Sequence, residues 1–247
     1  MADDGLGQFY AQAMEDDGTA FVNPPVAGSS LPTSRSMIFV SPDGERSMNT
    51  YLGISADVGP GDVPNDLAAD VVFLEGYLFD KPQGKEAFTA VARACIAGGG
   101  QAGIAISDPF CVERHRADFL DLIQNELSYV IGNRDEIKSL WQTDDLDVGL
   151  AKTAEISPLV VCTQSEDGCT IIKDGHRWDI PTHPTTPVDA TGAGDAFAAG
   201  FLFGMVTGRD METAGAMGNA AATEVISHIG PRPQLRLTAL FTSKGLL

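Results

Sequence analysis

From residue 71 onward the sequence alternates short apolar runs with longer amphipathic ones, and no other feature restricts its fold so strongly. VVFLEG is followed by KEAFTAVARACIAG, AGIAIS by ERHRADFLDLIQ, and SYVIGN by a helical pattern through Trp141. PLVVCT and CTIIK continue the strands, and two long helical segments follow Gly194. Strands that are apolar at every position are buried on both faces, which a parallel sheet between helices provides. The expectation is therefore an α/β chain. Its 247 residues, 43% of them hydrophobic, suffice for one large domain over 1–247. No repeat, low-complexity tract or linker interrupts it.

The first 70 residues follow a different pattern. Residues 5 to 17 fit a short amphipathic helix with Leu6, Phe9, Tyr10, Ala13 and Met14 on one side. Two β-prone runs in RSMIFVSPDGERSMNTYLG flank Pro42-Asp43-Gly44, which is good hairpin chemistry. This hairpin, about residues 33–53, lies outside the alternating rhythm and is expected to project from it.

Charge and cysteine usage narrow the function. Lys and Arg number 16 against 34 Asp and Glu, a formal charge of −18. Such a surface repels a phosphate backbone and argues against nucleic acid as a partner. It still admits a small anionic ligand, because a nest of backbone N–H groups can outweigh distant carboxylates. The cysteines at 95, 111, 162 and 169 form no C-x-x-C pair and match no zinc spacing. Cys95, Cys162 and Cys169 read as small core residues of a reducing compartment. With neither an apolar leader in MADDGLGQFY nor a membrane-length apolar stretch, a cytoplasmic location and no membrane partner are expected.

Several motifs fail their context. GGGQAG at 98–103 spells a dinucleotide fingerprint, but it follows a helix and opens a strand, so it reads as a helix end and loop. Gly84-Lys85 is no phosphate loop, since Phe79 stands where the first glycine belongs. The four histidines are scattered, and no G-x-S-x-G elbow is present.

PVDATGAGDAFAAGFLFG, residues 187–204, is different. A β-type segment ending in Pro187-Val188-Asp189 runs into Gly192, Ala193 and Gly194, and a helix starts near Ala193. N–H groups in the first turn of a helix have no intrahelical partner and sit at its positive end. Glycines let that backbone approach an anionic oxygen closely, which suits the charge that builds on a phosphoryl group in transfer. Asp195 in the first turn could accept a proton from an attacking hydroxyl. It could equally stabilise the helix dipole. The residues alone leave both roles open.

DATGAGDAFAAGFL resembles the C-terminal signature of the ribokinase-like (PfkB) carbohydrate and nucleoside kinases, D-T-x-G-A-G-D-x-F, with Ala190 where Thr is usual. The resemblance implies a three-layer αβα ribokinase-like fold with a mostly parallel central sheet and a small β-lid. It also implies Asp195 as general base and the backbone of Gly192, Ala193 and Gly194 as the anion hole. GNRDEI resembles the family's N-x-x-E element, making Asn133 and Glu136 candidates for organising Mg²⁺ and its waters, although a helix cap at Asn133 would also explain it. VVCTQSEDG resembles the strand and loop beside the nucleotide, implicating Thr163, Ser165 and Gly168. GAMGNAAATEVISHIG resembles the helix whose Asn contacts the nucleotide, here Asn219, though its small residues also suit close helix packing. The nucleotide-binding part is thus expected over about 130–247. GERSMNTYLG in the lid looks most like the adenosine-kinase branch, in which an Arg at the Arg46 position reaches the transferred phosphate; a solvated hairpin charge is the other reading.

The implied activity is transfer of the ATP γ-phosphoryl to a hydroxymethyl group of a nucleoside or sugar. The implied cofactors are ATP and Mg²⁺, with room for a monovalent cation such as K⁺ and for a homodimer. Members of the family begin with a strand carrying a substrate-binding Asp and a Gly-Gly…Asn segment, neither of which precedes MADDGLG. The chain is therefore expected to be N-terminally truncated relative to the family fold. A nucleotide-binding fragment without activity is the alternative expectation.

Overall fold

In the computed structural model, described for residues 1–64 and 67–247, six strands form the central sheet in sequence order. They are β3 (Val71–Glu75), β4 (Gln101–Ala105), β5 (Tyr129–Asn133), β6 (Leu159–Thr163), β7 (Cys169–Lys173) and β8 (His176–Ile180). β3 to β6 are mutually parallel, and β7 and β8 are added antiparallel. The preceding strands, β1 (Arg35–Val40) and β2 (Arg46–Tyr51), make a separate antiparallel hairpin.

The alternation of side chains along a strand sorts the core into two halves. Val130, Val160 and Cys162 face one way, onto α2 (Pro82–Ala97), α3 (Pro109–Glu126), α4 (Arg134–Trp141) and α5 (Leu146–Ile156). Tyr129, Ile131, Leu159 and Val161 face the other way, onto α6 (Ala193–Val206) and α7 (Met211–Val225). Helices on both faces make the three layers expected from continuous apolar strands. Where α6 meets α7 the small residues permit close approach: a Cβ on Gly200 would lie 2.6 Å from the Met217 carbonyl. The last helix, α8 (Leu237–Ser243), buries Phe241 against α6 and α7. All four cysteines are buried and unpaired, Cys111 included.

One expectation is met and one is corrected. The helix at the start forms as α1 (Gly5–Asp16), capped by the Asp4 carboxylate accepting from Gly7 N–H, but its apolar side faces outward. Phe9 is 74% exposed, Leu6 and Tyr10 are also exposed, and only Gly7 is buried. The amphipathic pattern predicted a helix correctly but not a covered one. The segment ending at Asp189 is not a strand. Its N–H groups turn away from the sheet edge, Val188 donating to the Ile226 carbonyl at the end of α7. No helix among the described residues is long and apolar enough to cross a membrane.

Candidate active site

In parallel sheets the loops beyond the carboxyl ends of the strands form the natural binding crevice. Here β3, β4, β5 and β6 deliver Glu75, Ser107, Asn133 and Thr163 to the same end, around a cavity of about 230 Å³. The head of α6 closes it from the other sheet face with Thr191, Gly192, Gly194 and Asp195, and the hairpin adds Arg46 and Met48 from above.

The turn before α6 is tightly specified. Asp189 is buried; its Oδ1 accepts from Thr191 N–H and its Oδ2 from Gly230 N–H, both at 2.9 Å. The Thr191 side chain together with those N–H groups holds its carboxyl below the ordinary range. Gly192 adopts φ 81° and packs against Pro231, so that a Cβ there would lie 2.8 Å from that ring. Both backbone and packing therefore demand glycine at 192. Gly194 differs: its φ is not positive, and a Cβ there would meet nothing within 4 Å. Nothing in the fold requires glycine at 194; the space it leaves opens on the cavity.

The anion-hole expectation is refined at one position. Ala193 N–H donates to the Ala190 carbonyl at 3.3 Å. The N–H groups of Gly192, Gly194 and Asp195 have no partner among the described residues. The Asp195 carboxyl is raised by burial, with the Arg46 guanidinium pulling the other way.

Asn133 and Glu136 form the helix cap that was one of their two sequence readings, and both line the cavity. Asn133 Oδ1 caps α4 by accepting from Asp135 and Glu136 N–H, each at 2.9 Å, and Glu136 Oε2 returns the favour to Asn133 N–H at 2.9 Å. Asn133 Nδ2 donates to Glu136 Oε1 at 2.6 Å. The box thus locks both side chains at the cavity wall, where Glu136 is 6% exposed and burial pushes its carboxyl up to about 7.

Glu75, Tyr77, Ser107 and Thr191 line the cavity without having been singled out from the sequence. Glu75 accepts from Ser107 Oγ and is pushed up to about 7 by burial, with the nearby Asp195 adding to the rise. A carboxylate closing an otherwise apolar parallel strand was the available signal. Ser107 (φ 74°) gave none, because its left-handed backbone is set by tertiary contacts.

Ser165, Gly168 and Asn219 are not brought to this cavity. Ser165 opens the single turn of 3₁₀ helix that follows β6. Gly168 (φ 89°) passes the end of β8 so closely that a Cβ would lie 2.1 Å from the Ile180 carbonyl. Asn219 is buried and donates to the Ile180 and Pro181 carbonyls at 3.0 and 3.3 Å. All three have work in the fold around the exit of β8 and the loop after β6. Arg134 fastens that loop to α4, donating to the Gln164 carbonyl and to Asp167 at 2.8 Å each.

The hairpin rests on this assembly by its tip. Gly44 (φ 82°) sits where a Cβ would be 2.9 Å from the Pro187 carbonyl, and its own carbonyl accepts from Ala190 N–H at 2.9 Å. Arg46, two residues on, is thereby brought over the head of α6 and Asp195.

The free N–H groups, with open space beside Gly194, fit the oxygens of a phosphate chain. No group of three His, Cys, Asp or Glu side chains among the described residues could hold a bare metal ion. Glu136, Glu75 and Asp195 around one cavity fit a hydrated divalent cation that arrives with phosphates.

The model of the family described as pfkB family carbohydrate kinase matches residues 2–236. A probable sugar kinase from Rhizobium etli CFN 42 is 41% identical, with a TM-score of 0.96 over 100% of this chain and 76% of that one. Adenosine kinase from Sinorhizobium meliloti is 40% identical, with a TM-score of 0.95 over 99% of this chain and 76% of that one. An uncharacterized sugar kinase of Archaeoglobus fulgidus is 28% identical over 202 residues, 81% of this chain and 78% of that protein. The three-layer arrangement is the ribokinase-like one, shared with far more distant structures.

Proposed function

Since the chain belongs to the pfkB family of carbohydrate kinases, and is thus a phosphotransferase with an alcohol acceptor, we propose that it moves the γ-phosphoryl group of ATP to a hydroxymethyl group of a nucleoside, adenosine first, or of a sugar. One observation carries this reading. Free backbone N–H groups, a carboxylate whose proton affinity is raised by its surroundings, and a guanidinium converge on one cavity at the head of α6.

In this reading Asp195 accepts the proton of the attacking hydroxyl. Desolvation disfavours the charged carboxylate, which strengthens it as a base, while the Arg46 guanidinium favours the ionised form. Gly192, Gly194 and Asp195 N–H groups hold the phosphoryl oxygens from below as charge develops on them. Arg46 offers a planar fork of donors from above. Asn133 and Glu136, fixed by their capping box, orient waters around the cation. Mg²⁺ supplies neutralisation of the phosphate charges when bound. Thr163 lies beside the phosphates; Ser165, Gly168 and Asn219 shape the nucleotide side by holding the loop after β6 and the exit of β8.

The test is ADP release from ATP–Mg²⁺ with adenosine, inosine, ribose and fructose, alongside calorimetric binding of ATP–Mg²⁺. Turnover with adenosine exceeding that with either sugar is the expected result. Preference for a sugar would overturn the nucleoside assignment. Nucleotide binding without ADP release from any acceptor would establish a chain that binds but does not transfer.

A further inference from the structure

Glu224 lies on α7, outside the cavity, and is only 9% exposed. A carboxylate that deep is costly unless its oxygens are used. Oε1 accepts two backbone N–H groups, from Gln234 at 2.9 Å and Leu235 at 3.0 Å. Oε2 has no partner, and neither has Nε2 of His228, which lies 3.5 Å from Oε1. Glu224 therefore anchors one end of the segment that leaves α7. The other end runs under the phosphate turn: Gly230 N–H donates to Asp189 Oδ2, and Pro231 packs directly on Gly192. Residues 230–235 form a strap from a buried carboxylate to the first glycine of the anion hole.

A glycine turn has many conformations of similar energy, so its single conformer must be imposed from outside. Pro231, with its own φ fixed by the ring, is the rigid part of the strap that touches Gly192. We propose that Glu224 is a positioning residue for phosphoryl transfer, holding residues 230–235 so that Pro231 fixes the turn that aims the Gly192 and Gly194 N–H groups. The proposal rests on the reading of that turn as the anion hole.

The test compares Glu224→Ala, Glu224→Gln, Pro231→Gly and the double variant Glu224→Ala/Pro231→Gly. The readouts are kcat and ATP KM with adenosine, the unfolding midpoint, and the amide ¹⁵N–¹H resonances of Gly192 and Gly194 without nucleotide. Because a misplacement of about 1 Å can cost about 100-fold, Glu224→Ala and Pro231→Gly should each lower kcat by about 10-fold or more, with a much smaller change in KM. Glu224→Gln keeps an oxygen for both N–H groups and should recover most of the rate. If both residues act through one contact, the double variant should be no worse than the poorer single. The Gly192 resonance should move in Glu224→Ala and Pro231→Gly and stay in place in Glu224→Gln.

A lower midpoint with unchanged kcat, an unmoved Gly192 resonance, or additive losses in the double variant would overturn the proposal. Pro231 is exposed, so Pro231→Gly carries the test even if Glu224→Ala does not fold. The resonances report on the strap whether or not the turn binds phosphate. Failure of the anion hole itself would show instead as normal turnover after a bulky substitution at Gly194.

Discussion

Between residues 189 and 195, Asp189 commits both carboxylate oxygens to backbone N–H groups and Pro231 packs against Gly192. The hairpin strands, by contrast, reach the rest of the protein through one hydrogen bond among the described residues, Ala190 N–H to the Gly44 carbonyl. Met37, Phe39, Met48 and Tyr51 on those strands are exposed. The first region is over-determined and supplies preorganised groups. The second is lightly attached and brings a single guanidinium to them. That division suits a reaction in which developing charge must meet fixed dipoles but the site must still open for substrate. The backbone hydrogen bond between them is at the tip, where Gly44 sits against Pro187 and Ala190 on the approach to α6.

The largest break is expected in the rigid region. Asp195→Asn should lower turnover by roughly 10²–10⁴-fold with little change in ATP affinity, since it removes the base and keeps the shape. Turnover close to wild type would leave Asp195 with the helix-dipole role only. A smaller loss is expected from the hairpin. Arg46→Ala should reduce kcat more than Arg46→Lys, because an ammonium cannot reproduce the fork, and both should affect kcat more than ATP KM. Unchanged kcat in both would make Arg46 a solvated charge and leave the hairpin without a part in the chemistry.

The smallest effect separates the regions by pH. Glu75 and Glu136, which line the same cavity as that rigid region, are pushed by burial from an ordinary 4.5 to about 7. Between those values the folded state keeps protons that the unfolded chain has released, so each group makes stability fall as pH rises through that window. Glu75→Gln keeps an acceptor for Ser107 and removes the ionisation. Its unfolding free energy relative to wild type should therefore rise from pH 5 to pH 8, by at most roughly 3 kcal/mol. A difference independent of pH would contradict the burial of that carboxylate. Arg46→Ala, as a hairpin control, should show no such slope.

The parallel core was legible because strands buried on both faces carry continuous apolar runs, as VVFL and YVI do before their polar ends. The tight turn at the head of α6 was legible because glycines gathered before a helix have few other uses. The fate of the apolar side of α1 was not, since periodicity states which residues share a face and not what covers it. Nor was the divergence of Gly192 from Gly194: one is demanded by Pro231, 39 residues further on, and the other by nothing in the fold. Asn219 lay in the same blind spot, its amide being spent on carbonyls at the exit of β8. Ser107 became visible only when the sheet brought two strand ends together, whereas the carboxylate closing an apolar strand already marked Glu75.

That divergence between two glycines offers the most direct measurement. A Val side chain at 194 begins in open space and needs no unusual backbone, whereas it points into the cavity where phosphate is expected. The account predicts that Gly194→Val keeps the wild-type unfolding midpoint to within a few degrees and loses ADP release from ATP–Mg²⁺ and adenosine. Normal turnover in that variant would contradict the claim that the head of α6 is where the phosphoryl group is held.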